Sequence, residues 1–157
     1  MRGTWQRGVL AALLFVWSPT VAAARAQAAT VSPVQGLSFG LLLPGAPETV
    51  SLDDVARRGV VAIAGSGPLD VTFILPSALV SPDGGSLPLS FSTMSAGVLP
   101  SAGGAVLRFN PQQLQRVQLA TDRVTHLLLG GTAQPATTQR AGHYSARIVV
   151  IVSQPGT

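Results

Sequence analysis

Few side chains in this 157-residue chain could do chemistry. His126 and His143 are its two histidines, Glu48, Asp53, Asp54, Asp70, Asp83 and Asp122 its six carboxylates, and there is no cysteine. A structural zinc site takes about four ligands, with thiolates prominent among them. Two histidines, with Asp122 near the first, fall short of that and read as polar side chains on strand surfaces. A glycosidase needs two carboxyl groups facing each other across the scissile bond. Here Asp53 and Asp54 are neighbours in a loop, and Asp83 occupies a turn, where aspartate is common for conformational reasons. No window supplies oxygen ligands at the alternating positions of a calcium loop. Gly65-Ser66-Gly67 lacks the G-x-S-x-G spacing and the following helix of a nucleophile elbow, so a hairpin turn explains it better. Glycine pairs begin at 84, 103 and 130, but without any lysine none is a P-loop. The expectation is a non-enzyme with no cofactor and no metal.

Charge narrows the partners. The chain carries ten Lys+Arg against six Asp+Glu, a net +4. Arg2, Arg7 and Arg25 lie in the first 26 residues, leaving seven against six, or +1, in the remainder. Of those seven, only Arg57 and Arg58 are adjacent. A nucleic-acid surface needs clustered positive charge, usually with stacking aromatics; neither is present, so no nucleic-acid partner is expected.

The elements that must position these residues begin after a targeting segment. Arg2 and Arg7 precede an apolar run, Val9 to Trp17, which Ser18-Pro19 breaks. Ala24-Arg25-Ala26 then gives the small-x-small pattern of a cleavage site. Residues 1–26 are therefore expected to be a cleaved signal peptide, since a bilayer span takes about 20 apolar residues. Without cysteine, a lipid-anchored form is excluded. The mature chain is expected to be exported, to the periplasm, cell surface or beyond, with no transmembrane anchor and no disulfides. Its stability must then come from core packing and sheet hydrogen bonds.

The mature region is punctuated by glycine and proline, which favours many short strands over helices. Residues 27–35 form a short lead. Gly36 to Gly45 (GLSFGLLLPG) alternates, with Leu37, Phe39 and Leu41 on one side as expected core, and Pro44-Gly45 turns the chain. Further strands are expected at 48–52, 59–64, 69–75, 87–94, 105–109 and 123–129. Asn110-Pro111 allows one helical turn up to Arg116, or 116–120 is already strand. The final segment, 143–153, has the clearest alternation: Tyr144, Ala146, Ile148, Val150 and Val152 share one face. Its other face turns apolar at Val149 and Ile151, predicting burial on both sides. The fold class is all-β: an immunoglobulin-like antiparallel β-sandwich of about eight or nine short strands, forming a single domain over 36–157.

"LSFGLLLPG" near the mature start, "LLLGGTA" at 127–133 and "AGHYSARIVVIVS" at the end occur in an order that resembles the bacterial family called domain of unknown function 4402. These segments are also similar to spore-coat-U-like and chaperone–usher pilin subunits. Gly36, Leu37, Phe39, Gly40, Pro44 and Gly45 match the first motif, Gly130 and Gly131 the second, and Gly142 and Tyr144 the last. The resemblance implies a structural role for these residues and supplies no catalytic ones. It implies an exported, non-catalytic structural or assembly subunit of a cell-surface appendage or coat. Such a subunit would meet a periplasmic chaperone or neighbouring subunits by strand pairing at a sheet edge. The alternative is a monomeric β-sandwich module binding a carbohydrate or protein, against which stands the scarcity of aromatics. Whether the lead pairs within its own domain or reaches into a neighbour is open in the sequence.

Overall fold

The computed structural model describes residues 29–100 and 104–155. The expected signal peptide therefore lies outside the described residues. Among these there are twelve strands and no helix: β1 Thr30–Gln35, β2 Glu48–Val50, β3 Gly59–Ala64, β4 Gly67–Ile74, β5 Ala78–Val80, β6 Ser86–Ser90, β7 Ala96–Leu99, β8 Leu107–Phe109, β9 Gln115–Leu119, β10 Val124–Leu129, β11 Gly131–Ala133 and β12 Val149–Ser153. The all-β antiparallel sandwich holds, with twelve strands in place of eight or nine, because β1, β5, β7 and β11 are added and the strand expected at 36–45 does not form.

The strands form three antiparallel sheets, ordered β1-β3-β10-β7-β8, β2-β11-β6-β5 and β12-β4-β9. Alternation within β4 shows how the layers meet. Leu69, Val71 and Phe73 are buried while Asp70, Thr72 and Ile74 face outward. Val117 and Leu119 of β9 join them against Ile63, Ala96, Val98, Phe109, Leu127 and Leu129 from the five-stranded sheet. Phe73 and Phe109 meet across this core with ring centroids 6.2 Å apart. A second, smaller core of Phe39, Val50, Leu87 and Ala133 lies under the four-stranded sheet.

Two sheet changes hold the layers together. β10 runs directly into β11, passing from the five-stranded to the four-stranded sheet at Gly130. There a side chain would collide with the Val50 carbonyl oxygen, and backbone cannot yield as a flexible side chain can. The Gly130-Gly131 pair thus ends β10 and carries the chain across to the other sheet. Gly65-Ser66-Gly67 likewise joins β3 and β4, which belong to different sheets, so it is a corner and not a hairpin turn.

The final segment is divided in the same way. Ser145 bridges Val80 of β5, and only from Val149 does the chain pair with β4. The unbroken strand expected over 143–153 is corrected to a bridge and a five-residue strand, because the segment serves two sheets whose edges do not coincide.

The lead is a strand, paired in cis: Val31 lies opposite Ile63 and Pro33 opposite Val61, with an irregularity before Gln35. Gln35 turns outward and donates its side-chain amide to the carbonyls of Val55 and Arg58. By contrast, residues 36–45 are not a strand. Gly40 and Gly45 take φ of +69° and +76°, the left-handed region that β-structure excludes. Phe39 is buried there, Leu37 half-buried, and Leu41 is 93% exposed, so Leu41 is removed from the expected core. At 110–116 the strand reading prevails: a short turn follows Asn110 and β9 starts at Gln115.

Candidate strand-docking cleft

The three sequence motifs, far apart in the chain, meet in space. Leu37, Phe39, Gly40 and Pro44 line one wall of a cavity of about 670 Å³, whose other wall includes Gly142 and Tyr144. Gly131 supports the same region: a side chain there would press on the Phe91 ring, 3.0 Å away, with Leu37 behind it at 3.6 Å. Gly45 is held by its amide against the carbonyls of Pro135 and Ala136, both 3.1 Å away. Gly36 and Gly142 have no close neighbour that explains the absence of a side chain. The Tyr144 hydroxyl donates to the Arg140 carbonyl (2.9 Å) and accepts from the Gln139 amide (2.7 Å).

A second cavity, of about 360 Å³, adjoins the first, sharing Leu37, Ala146 and Ile148. Its floor is the main core, through Phe73, Leu127 and Leu129, and its banks are Pro33 to Gly36 on one side and Ile148 and Val150 on the other. β1 and β12 are the terminal strands of their sheets, so each offers one unpaired backbone edge. The smaller cavity lies between those edges, bounded by Pro33 to Gln35 of β1 and Val150 of β12, and the larger one continues it beyond them toward Tyr144.

Register shows that this cleft is core left uncovered. Directly paired residues of an antiparallel ladder point to the same face. Val31 therefore faces inward with Ile63, and Val150 and Val152 face inward with Phe73 and Val71. Yet Ile63 is 0% exposed and Val31 is 38% exposed. Every residue of β1 from Thr30 to Val34 is exposed, and Val150 and Val152 are only half-buried. On the outer face of β12, Ile151 and its neighbour Ile74 of β4 are also exposed. The expected burial of β12 on both sides is absent within this chain.

The two banks run in opposite directions. β1 starts beside Ala64 and the Gly65 corner, while β12 ends opposite Asp70, near the start of β4. A strand laid between them is parallel to one bank and antiparallel to the other.

The residues weighed for catalysis are scattered or engaged. Asp54 and Glu48 pair with Arg57 at 2.6 and 2.5 Å, Asp53 with Arg108 at 2.8 Å, and Asp70 with Arg116 at 2.8 Å. Hydrogen bonding from Arg57 and from Arg116 holds the Asp54 and Asp70 carboxyls below the usual aspartate range. His126 sits on β10 between Ala62 and Leu99, whereas His143 lies outside any strand and lines the larger cavity. Among the described residues no group of three His, Asp or Glu side chains could hold a metal ion. No helix there is long and apolar enough to cross a membrane.

Sequence reasoning missed the β1 bank. Its one signal was the weak alternation of Val31 and Pro33, which a proline and two hydroxyl residues obscured.

No family model matches the chain, so the resemblance to domain of unknown function 4402 rests on its motifs alone. No curated protein matches it either. Among solved structures it is similar to a chain from work on a chaperone–tip adhesin complex in CFA/I fimbriae biogenesis. The two are 12% identical with a TM-score of 0.49, over 82% of this chain and 42% of that one. It is also similar to a family 123 glycoside hydrolase from Clostridium perfringens, at 9% identity and a TM-score of 0.41, over 83% of this chain and 25% of that one. The chain thus spans less than half the length of either.

Proposed function

We propose that this chain is an exported, non-catalytic structural or assembly subunit that takes up a β-strand from a partner in the cleft between β1 and β12. The partner is a periplasmic chaperone or a neighbouring subunit of a surface appendage or coat. One observation carries the reading: inward-facing Val31, Val150 and Val152 are left uncovered beside two unpaired backbone edges. An added strand would supply the missing hydrogen bonds and seal the core in one step. The exposed outer residues Ile74 and Ile151 fit the same reading, since a partner seated on this edge would cover them too. A carbohydrate module is less well supported. The aromatic side chain lining the larger cavity beside Phe39 is Tyr144, which is half-buried with its hydroxyl already engaged.

The test is isolation of the mature chain from its native cells without boiling. A ladder or a defined heterocomplex that boiling collapses to monomer is expected, with β1 and β12 amides protected from hydrogen exchange in the complex and unprotected in the monomer. A monomer throughout, with both edges protected on its own, would overturn the reading.

A further inference from the structure

We propose that the strand this cleft accepts belongs to a different polypeptide and carries acidic residues at the end that lies over Tyr144. The inference rests on the strand-uptake reading and adds the chemistry of the occupant. Elsewhere Arg57, Arg108 and Arg116 each hold a carboxylate, while Arg58 and Arg123, distant from one another in the sequence, make no ion pair among the described residues. Around the larger cavity the balance differs. Arg140 and His143 line it, Arg147 follows two residues after Ser145, and the lining contains no Asp or Glu. Among the described residues none of these three makes an ion pair, and all three are exposed. Asp83, in the turn beside Gly142, is exposed and not in ion-pair contact with them. The opposite bank, Thr30 to Gln35, is uncharged.

A long apolar slot with positive charge at one end selects an apolar strand with negative charge at the matching end. Residues 1–35 and 154–157 contain no Asp or Glu. Of the six carboxylates, Glu48, Asp53, Asp54 and Asp70 are held by ion pairs, and Asp83 and Asp122 sit in turns within the folded domain. These end residues in a second copy therefore offer no acidic pair, which favours a strand from another protein.

The experiment uses capped twelve-residue peptides sharing one alternating Val/Ala core and differing only in a terminal pair: Glu at the N-end, Glu at the C-end, or Lys at either end. A fifth peptide copies residues 27–36 of this chain. Affinity for residues 27–157 is read by fluorescence anisotropy. One of the two Glu peptides is expected to bind roughly tenfold more tightly than its Lys counterpart, and which one it is reports the strand direction. Arg140→Gln combined with Arg147→Gln, or 0.5 M salt, should remove that advantage while leaving the Lys peptides unchanged or tighter. Both substitutions are at exposed positions, and circular dichroism checks the fold. Equal binding of Glu and Lys peptides, or tightest binding by the 27–36 peptide, overturns the acidic-partner proposal and leaves strand uptake standing. No binding by any peptide overturns both. Binding to anionic vesicles that depends on Leu41 and Leu43, with no charge preference among peptides, also overturns the proposal in favour of a lipid surface.

Discussion

Ile63 and Val31 face the same interior from neighbouring strands, directly opposite one another, yet one is sealed and the other is open to solvent. The closed half, around β10, β7, β4 and β9, has strands paired on both sides or capped by the facing sheet. The open half ends in two banks with nothing between them. The same kinds of side chain thus do different jobs: in one half they stabilise the monomer, and in the other they hold apolar area in reserve for association.

That contrast can be broken by substitution. Leu69→Ala in the closed half removes a side chain that is 2% exposed, and it should lower unfolding free energy by about 3 kcal/mol in urea titration. A loss near 1 kcal/mol would show that the closed half is less tightly filled than its burial implies. Gly130→Ala comes next, at about 2 kcal/mol, because the new methyl meets the Val50 carbonyl at the sheet crossing. Wild-type stability in that variant would mean that the two sheets can slide apart at low cost.

In the open half Val150→Ala should cost about 0.5 kcal/mol in the isolated chain, as only part of the side chain is covered. The same change should weaken partner or peptide binding by roughly fivefold, and equal effects in both assays would erase the distinction between the halves. The smallest effect concerns acid. Arg116 lowers the Asp70 pKa in the folded chain, so the stabilisation is present at neutral pH, persists down to the ordinary aspartate range, and is lost as pH falls through the depressed value. Asp70→Asn should flatten this acid limb of the stability profile below about pH 4. An unchanged limb would assign acid sensitivity to other carboxylates, such as Asp54.

Where a strand has one wet and one dry face, its alternation was readable, as in Leu69 to Ile74. β7 was not readable: Ala96 to Val98 are all buried, which erases period two, and the strand is four residues long. β1 failed for the opposite reason, since nothing in it is buried. Leu37, Phe39 and Leu41 alternate like a strand, but Gly40 at positive φ rotates Leu41 out to solvent. Half of the cleft was foreshadowed by the two-faced apolar character of Val149 to Val152. Its other half depends on which strands become edges, a long-range pairing outcome that no local window encodes. Likewise the matched glycines were visible as a set, whereas the meeting of Gly40 and Gly142 at one cavity was not.

The common pole of β1 and β12 gives the domain a direction of mechanical weakness. A tension that separates residues 30 and 153 acts across the strands at their ends, so Thr30–Ala64 and Ser153–Asp70 open first and the ladders peel one rung at a time. A guest strand pulled along its own length would instead load all its hydrogen bonds together, because those bonds lie across the strand axis. Handles placed on the two ends of this chain would thus meet far less resistance than a tug on whatever fills its cleft.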